Sequence, residues 1–323
     1  MEAWRKSASG RGRPKSIETE GHACNNPACR YFNITDGAVH ALGGDGKRQG
    51  VDTVQYFKCQ ACGTKVSGRW NTPMYNLKTP VQRVAEVMTA TSEGMDVSAA
   101  HRVFAHDERT IQRWLTHTAQ HAERAHERFF RKLVCQHLQL DELVTKVRGV
   151  KERVLVWVAL DAHTKIIPVI RLGARKSADA QLFVHEVWQR LAPDAPPVFT
   201  TDGLWLYYYA LTAHFGDWLP PTDRRHPVWQ VDPRLLYGQL HKLKSMFTLA
   251  VCGTREQLRN ALAAMDLTGR IMTAYVERVN LTLREHIPPL ARRTWSLART
   301  EPSLRLHLEW GRTYYHFCRY HQG

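Results

Sequence analysis

The stretch that decides the interpretation of this chain is Tyr275–Arg284, which reads YVERVNLTLR. On a helix, Glu277, Asn280 and Arg284 share one face, because residues three, four and seven positions apart are neighbours there. The adjacent stripe, at the same spacing, is apolar and predicts burial against a core. Its members are Met272, Val276, Val279 and Leu283. This pattern predicts a helix that presents a carboxylate, an amide and a guanidinium together, although a surface helix whose Glu277 pairs with an arginine fits it too.

The composition of the chain limits its functional class. The chain has 323 residues, which is enough for two or three domains. Its formal net charge of +15 favours a polyanionic partner, either nucleic acid or an anionic membrane surface. Val154–Leu160, the longest apolar run, is too short to span a bilayer, and the N-terminus has no apolar signal segment. We therefore expect an intracellular protein without a membrane partner.

The first 20 residues are basic and rich in small residues, which predicts a flexible arm. The run GRGRPK, at residues 10–15, contains Arg11 and Arg13. It resembles the core of an AT-hook, an extended segment that inserts arginines into a narrow A·T minor groove. A solvated tail that contacts no DNA explains the same composition.

Two cysteine pairs follow the arm and predict a zinc-ribbon domain over residues 21–72. Four residues separate the first pair and two separate the second, which is the spacing of zinc knuckles. The pairs are Cys24 with Cys29 and Cys59 with Cys62. Four thiolates would complete one structural zinc site. The long stretch between the pairs leaves open an exchange of one ligand for His22 or His40, and two unrelated pairs of buried cysteines are the plainer alternative.

Residues 73–133 have the periodicity of three helices joined by short turns, which predicts a helix-turn-helix domain. The third helix turns its apolar residues inward and carries Arg109, Gln112 and Arg113 outward. Arginine and glutamine side chains suit the guanine and adenine edges of the major groove. The prediction is therefore DNA binding, and a plain three-helix linker with a solvated polar face is the alternative. Residues 120–132 are predicted to form a long helix leading into the next domain.

From residue 134 onward the pattern predicts an α/β sheet covered by helices. Asp161 is predicted to begin the turn that joins the second and third strands as a hairpin. The predicted elements are strands at 136–147, 153–160 and 165–172, a helix at 178–191 and a strand at 198–201. Residues 217–266 are predicted to be an insertion or an elaborated strand–helix region.

Three carboxylates are candidates for metal binding. A carboxylate within a strand is costly unless it binds something, which singles out Asp141 and Asp202. Together with Glu277 on its helix, they could hold two divalent ions that activate a water or a 3′-hydroxyl. Each acid considered singly also fits a turn or cap residue. Glu142 is expected to point away from Asp141, because successive side chains alternate between the faces of a sheet.

Three stretches of the chain resemble the DDE transposases of bacterial insertion sequences, most closely the insertion-sequence-one family. The stretches are QLDEL around Asp141, FTTDGLWLYYYAL around Asp202 and TGRIMTAYVERVNLTLR around Glu277, which continues into LARRTWSLAR. The order of zinc ribbon, helix-turn-helix and acids also matches that family, and the resemblance covers most of the chain from Cys24 onward.

The resemblance implies an RNase-H-like catalytic domain over residues 134–323, with a mixed sheet and covering helices. Asp141, Asp202 and Glu277 would be the catalytic triad and would bind two magnesium ions, or manganese in vitro. The implied protein is cytoplasmic and associated with the bacterial nucleoid. It would bind terminal inverted repeats and target DNA as a homodimer or higher oligomer, and would cleave and join strands. The remaining expected DNA contacts are Arg278, Asn280, Arg284, Arg292 and Arg293.

The chain departs from that family in three places. Leu143 and Val144 stand where an aromatic residue often follows the first acid, and 74 residues separate Asp202 from Glu277. Tyr320 stands where a proline often continues the aromatic tail. These departures motivate an alternative, a sequence-specific DNA-binding regulator that keeps an inactive, domesticated or decayed nuclease-like domain. A ribonuclease acting on RNA would explain the acids but would leave the helix-turn-helix without a purpose.

Overall fold

The computed structural model describes residues 17–193, 196–221, 226–242, 246–265 and 269–320. The chain divides into two compact units, Met1–Val87 and Met88–Gly323. Arg11 and Arg13 of the predicted basic arm lie outside the described residues. Within the described ranges, none of the helices combines the length and the apolar character that a membrane span requires.

The first unit contains a three-stranded antiparallel sheet in the order β1-β2-β3. Its strands are β1 (Leu42–Arg48), β2 (Val54–Cys59) and β3 (Lys65–Ser67). Phe57 and Val66 are buried in a small core together with the cysteines. Gly63 has a φ of +75°, a left-handed conformation that glycine adopts at little cost. The chain therefore makes a tight turn directly after the second cysteine pair. Helix α1 (Val81–Ser92) contains the boundary between the two units.

Helices α2 (Val97–Phe104) and α3 (Glu108–Phe129) are joined by a short turn at residues 105–107. The Asp107 side chain accepts a hydrogen bond from the backbone N–H of Arg109 and caps α3. Trp114 is buried, and Arg113 is exposed. α3 is one continuous helix of 22 residues, so the helix predicted to read DNA and the predicted connecting helix are the same element.

The second unit is built on a mixed six-stranded sheet in the order β11-β10-β7-β4-β5-β6. β4, β7 and β10 are mutually parallel, and the other neighbouring pairs are antiparallel. The hairpin predicted at Asp161 is confirmed, because its backbone C=O accepts from Lys165 N at 2.8 Å. The strands are β4 (His137–Thr145), β5 (Val154–Asp161), β6 (Val169–Gly173), β7 (Val198–Asp202), β10 (Tyr237–Lys242) and β11 (Met246–Cys252), and β8 (Gly216–Leu219) and β9 (Val228–Val231) form a separate ribbon.

Helices cover both faces of this sheet. One face buries Leu140 and Trp157 against α4 and α5, and the other buries Leu143 and Val158 against α7 and α8. These residues alternate along their strands, as expected for a sheet buried on both sides. The helices are α4 (Ser177–Arg190), α5 (Leu206–His214), α6 (Arg255–Ala264), α7 (Ala274–His286) and α8 (Glu301–Phe317). The prediction of an α/β sheet covered by helices is therefore confirmed.

The region predicted as an insertion or elaboration, residues 217–266, extends the central sheet. β10 pairs in parallel with β7, and β11 pairs with β10 at the edge. α6 packs Leu258 and Leu262 against Val198 of β7. Because β10 lies directly beside β7, the elaborated region adds residues to the edge of the sheet at which β7 ends.

A buried ion cluster fastens α3 to α8. Arg312 donates from Nη2 to Glu309 Oε2 at 3.0 Å and from Nε to His126 Nδ1 at 3.1 Å, and His126 Nδ1 lies 3.1 Å from Glu309 Oε2. The Arg190 guanidinium of α4 donates to the backbone C=O of His126 at 3.2 Å. Burial lowers the pKa of His126 below its ordinary value. The ring and backbone C=O of His126 therefore tie α3 to α8 and α4.

Candidate active site

Two of the predicted acids meet at one edge of the central sheet. Leu140 of β4 pairs with Thr201 of β7 in parallel register, so Asp141 and Asp202, the next residue along each strand, lie side by side. Carboxylate oxygens of Asp141, Glu142 and Asp202 all lie within 4.8 Å of one another. Three acids therefore meet where β7 stops beside the middle of β4.

The expectation that Glu142 is directed away from Asp141 is wrong for its carboxylate. Glu142 starts on the face covered by α5, where its Oε2 accepts from the Tyr207 hydroxyl at 3.0 Å. Asp141 starts on the opposite face, where it contacts Asn280 of α7. β7 ends at Asp202, so no strand separates the two side chains on that side of β4. Alternation fixes the faces on which side chains begin, but a long side chain at an open edge reaches around it.

The third predicted acid, Glu277, reaches the same place from α7. Asp141, Asp202 and Glu277 line one open cavity of about 370 Å³. Thr273 donates its hydroxyl proton to Glu277 Oε1 at 2.5 Å and orients that carboxylate. Within the described residues, the group of oxygens inside 4.8 Å contains Glu142 in place of Glu277. The structure therefore brings the predicted triad to one cavity and places the carboxylate of Glu142, which was not predicted as a metal ligand, beside those of Asp141 and Asp202.

Two buried polar residues dock the start of α7 onto the sheet. Gln139 donates to the backbone C=O of Met272 at 2.9 Å and accepts from Val276 N at 2.9 Å. The Thr200 hydroxyl donates to the same Met272 carbonyl at 3.0 Å. These hydrogen bonds fix the position of Glu277 relative to the sheet, because Glu277 follows Val276 directly. Sequence reasoning missed Gln139, although a glutamine between two leucines of a central strand is itself a signal, because a buried amide needs partners.

Asn280 and Arg284, predicted to contact DNA, both lie near Asp141. Asn280 is buried, and its Nδ2 donates to Asp141 Oδ2 at 2.7 Å. Burial lowers the pKa of Arg284, as does the nearby Arg292, while Asp141 opposes that shift. In this arrangement Asn280 orients a carboxylate, and Arg284 brings positive charge close to the acids. Arg278, Arg292 and Arg293 are exposed.

The acids perturb one another strongly. Burial, followed by the charges of Asp202 and Glu277, raises the pKa of Asp141 from 3.8 to about 6. Burial, followed by the charges of Asp202 and Asp141, raises the pKa of Glu142 from 4.5 to about 7. Half-buried carboxylates at this spacing repel each other unless a cation lies between them. Their oxygens are hard ligands of the kind that Mg²⁺ and Mn²⁺ prefer, so the residues present fit divalent ions.

These shifts predict an unusual pH dependence of stability in protein free of divalent ions. A carboxyl with a raised pKa holds its proton longer in the folded state than in the unfolded state, so its favourable contribution disappears as pH rises. For Asp141 and Glu142 the loss should fall between about pH 4 and pH 7, the interval between their ordinary and raised pKa values. At pH 8 we expect the free energy of unfolding of Asp141→Asn/Glu142→Gln to exceed that of the wild type by on the order of a few kcal/mol. The double variant should therefore melt at a higher temperature than the wild type at pH 8 and lose that advantage near pH 4.

Thermal melting of both proteins across this pH range measures the difference. Glu152→Gln/Glu285→Gln, which changes two exposed acids, is the matched control and should give no such pH-dependent gap. Added Mg²⁺ should reduce the gap at pH 8 by stabilising the wild type. A gap that widens toward acid would contradict the raised pKa values.

A polarised hydrogen-bond chain builds one wall of the cavity. His241 Nε2 donates to Gln239 Oε1 at 3.1 Å, because that oxygen can only accept. Gln239 donates to the Tyr237 hydroxyl at 2.7 Å, Tyr237 donates to Thr201 Oγ1 at 2.8 Å, and Thr201 donates to the backbone C=O of Asp202 at 2.6 Å. The chain fixes the imidazole of His241, which lines the cavity.

Glycine is required at position 203 because the imidazole packs so closely on it. A Cβ on Gly203 would lie 2.6 Å from His241 Nδ1. Arg175 lines the opposite part of the cavity, with its guanidinium 3.5 Å from Glu142 Oε1. Neither His241 nor Arg175 was nominated from the sequence, because the strand pairing that brings them to the acids is long-range.

The four predicted cysteine ligands form one cluster in the first unit. Their sulfur atoms lie within 4.8 Å of one another, with Cys24 and Cys62 at 3.6 Å and Cys29 and Cys59 at 3.8 Å. Four sulfurs bound to zinc at about 2.3 Å lie about 3.8 Å apart, so this tetrad is compatible with a structural zinc. Burial raises the pKa of Cys24 to about 12, while hydrogen bonds with Thr64 lower the pKa of Cys62 to about 6.

The alternative histidine ligands are engaged elsewhere. His40 Nε2 lies 2.8 Å from the backbone C=O of Thr19, and His40 Nδ1 accepts from Leu42 N at 3.1 Å. The His22 ring packs against Phe57 with centroids 4.4 Å apart. The cluster therefore consists of the four cysteines without exchange of a ligand.

Comparison with known proteins adds no identification. No protein-family description matches the chain, and no curated protein matches it. The site must therefore be interpreted from its own geometry.

Proposed function

We propose that this chain is a DDE-type DNA transposase that cleaves and joins DNA strands at a site formed by Asp141, Asp202 and Glu277. The observation that supports it most is that these three acids, from β4, β7 and α7, line one cavity. A net charge of +15 suits a nucleic-acid substrate. The resemblance described above led to the same three residues from sequence motifs alone.

The topology supports an RNase-H-like catalytic domain. β4, β5 and β6 form an antiparallel meander, α4 follows, and β7 and β10 then pair in parallel on the other side of β4. This order puts the end of β7 beside the middle of β4, and α7 packs on β4. In the first unit, the four-cysteine cluster beside a small antiparallel sheet supports a zinc ribbon.

Bound divalent ions would supply the activated water or 3′-hydroxyl and the charge that stabilises the leaving oxygen. Asp141, Asp202 and Glu277 would hold those ions. Asn280 orients Asp141 through its hydrogen bond, and Gln139 fixes the height of α7. Arg284 and Arg175 supply positive charge beside a site that must accept a phosphodiester. These two guanidinium groups would offset the repulsion between the phosphates of the DNA and the carboxylates of the site.

The function requires that DNA be held by other parts of the chain. The helix-turn-helix domain, with Arg109, Gln112 and Arg113 on α3, would hold the DNA next to the cleavage site, and the zinc ribbon would bind the terminal inverted repeats. Arg278 on α7 and Arg292 and Arg293 after it are exposed and would contact the backbone of the DNA. Because two transposon ends are joined in one reaction, at least a dimer is required during synapsis. The reaction would take place in the cytoplasm of a bacterial cell.

Strand transfer with pre-cleaved ends tests the proposal. The DNA that flanks the reading frame supplies the candidate inverted repeats, and a labelled duplex bearing them is incubated with a supercoiled target. We expect joined products with Mg²⁺ or Mn²⁺ and none with Ca²⁺. Specific binding of the repeat without nicking or joining in any divalent ion would favour the alternative, a DNA-binding regulator with an inactive nuclease-like domain.

A further inference from the structure

The first turns of α3 do not face open solvent. They line a groove of about 690 Å³ together with the segment that follows α7. We call this the α3 groove. Its walls come from α2 and α3, from the turn between β4 and β5, from the segment Pro288–Arg299 and from the start of α8. All of these residues belong to the second unit, and the segment is continuous with the helix that carries Glu277.

The charge of the α3 groove is unbalanced toward positive. The guanidinium groups of four arginines line it, two from α3 and two from outside it: Arg109, Arg113, Arg148 and Arg299. In the part of the chain that the structure describes, none of the four lies within 4.0 Å of a carboxylate. The groove also contains two acids, Asp96 and Glu108.

Both of these acids are already occupied by hydrogen-bond donors. Asp96 accepts from Ser296 Oγ at 2.5 Å and caps α2 through Ala99 N, and Glu108 accepts from Ser98 Oγ at 2.5 Å. Cationic side chains that face one groove without acidic partners are suited to a ligand that carries several negative charges.

Trp295 supplies the second feature of the α3 groove. This residue is 95% exposed, which is unusual for so large an apolar side chain. The loop around it is fixed at two points. Ser296 is bonded to Asp96, and the buried Ala298 accepts from Arg148 N at 2.9 Å through its C=O. A tethered loop therefore presents an indole in a cationic groove. Arginines that follow a phosphate backbone beside an aromatic platform are typical of sites for single-stranded nucleic acid.

The opposing wall makes a single strand a better occupant than a duplex. A helix that reads B-DNA enters a major groove about 12 Å wide and needs its reading face open. Here the face that carries Arg109, Gln112 and Arg113 shares its groove with Pro288, Pro289 and the Trp295–Arg299 stretch. A single strand can lie between the two walls with its phosphates toward the arginines and its bases toward the indole.

We propose that the α3 groove binds an unpaired DNA strand, with its phosphates against Arg109, Arg113, Arg148 and Arg299 and one base stacked on Trp295. Such a strand would arise where the end of the mobile DNA is opened next to the cleavage site. Only this source of the strand rests on the proposed function, because the binding chemistry of the groove does not involve Asp141, Asp202 or Glu277.

Fluorescence anisotropy tests the proposal with the full zinc-loaded chain in Ca²⁺. The probes are a fluorescein-labelled 12-nucleotide oligothymidylate and a blunt hairpin duplex with a stem of 12 base pairs. Trp295→Ala should weaken binding of the single strand about tenfold or more and should change binding of the duplex less than twofold. Trp295→Phe should restore most of the affinity. Trp218→Ala, which removes an exposed tryptophan outside the groove, is the matched control and should leave both affinities unchanged.

The salt dependence gives a second readout. The log of the affinity for the single strand falls as the log of the salt concentration rises. Arg148→Ala/Arg299→Ala should make this slope less steep by about 1.4, since each single-strand phosphate contact contributes about 0.7. An unchanged single-strand affinity in Trp295→Ala, or an equal loss on both probes, would overturn the proposal. The result is independent of strand transfer: a chain that joins no DNA but shows these differences would retain the groove and lose only the proposed function.

Discussion

Replacing Glu277 by glutamine should reduce DNA strand transfer by about 10³-fold or more, equivalent to about 4 kcal/mol in the barrier. The same change at Glu142 should reduce it less than about tenfold. The comparison matters because both carboxylates reach the acidic cluster. Glu142 belongs to the group of closest oxygens, whereas Glu277 lines the cavity from α7.

The physical reason for the difference is the set of partners that each carboxylate already has. Glu142 accepts from the Tyr207 hydroxyl at 3.0 Å and has Arg175 3.5 Å away. A glutamine there keeps an oxygen for Tyr207 and removes a negative charge that burial already disfavours. Glu277 accepts a hydrogen bond from the Thr273 hydroxyl and lines the cavity. A divalent ion in that cavity needs a negatively charged ligand, and the amide in Glu277→Gln cannot supply that charge.

Joining of pre-cleaved ends in Mg²⁺ measures this prediction. Glu285→Gln changes an exposed acid on the same helix and should keep wild-type activity. Manganese binding, followed by electron paramagnetic resonance, separates loss of the ion from loss of a later step. If Glu142→Gln abolishes joining while Glu277→Gln retains it, the third carboxylate of the site is Glu142.

Replacing Cys59 by serine should remove the zinc and unfold the first unit, Met1–Val87. Cys59 is fully buried among the other ligands, with its sulfur 3.8 Å from that of Cys29. The unit has only a small core and a three-stranded sheet, so we expect metal binding to provide most of its folding free energy. Structural zinc sites contribute about 10 kcal/mol or more.

Zinc content per chain and the rate of proteolysis within residues 17–87 measure this effect. Cys135→Ser removes a cysteine that lies outside the cluster, and we expect it to leave both quantities unchanged. Cleavage sites in the second unit report separately on that part of the chain. A Cys59→Ser protein that keeps one zinc per chain and resists protease as the wild type does would show that the cysteines do not form the metal site.

Local sequence signals account for much of what was predicted. The 3.6-residue period around Val276 and Val279 predicted the buried face of α7. The spacing of the cysteine pairs predicted a cluster, and the four sulfurs do converge. These features depend on residues near each other in the chain, where periodicity, capping and spacing act directly.

The candidate site was predicted only in part, because much of it depends on where strands end relative to their neighbours. Nothing near Glu142 in the sequence indicates that β7 stops opposite Asp141 and leaves an open edge. Nor does any local pattern indicate that β10 joins β7 and brings His241 to the cavity. Strand order is set by the summed burial and pairing of distant segments.

The sequence by itself determined which residues carry charge, where helices begin and end, and that four thiolates and three acids were available as ligands. Only the tertiary structure decided which of them meet. It brought Asn280 within hydrogen-bond distance of Asp141 and docked α7 on the sheet through Gln139. It also placed Trp295 in the same groove as the first turns of α3. The reason is that a side chain's type and face are local properties, whereas its partners are selected by the packing of elements more than a hundred residues apart, such as Gln139 and Val276.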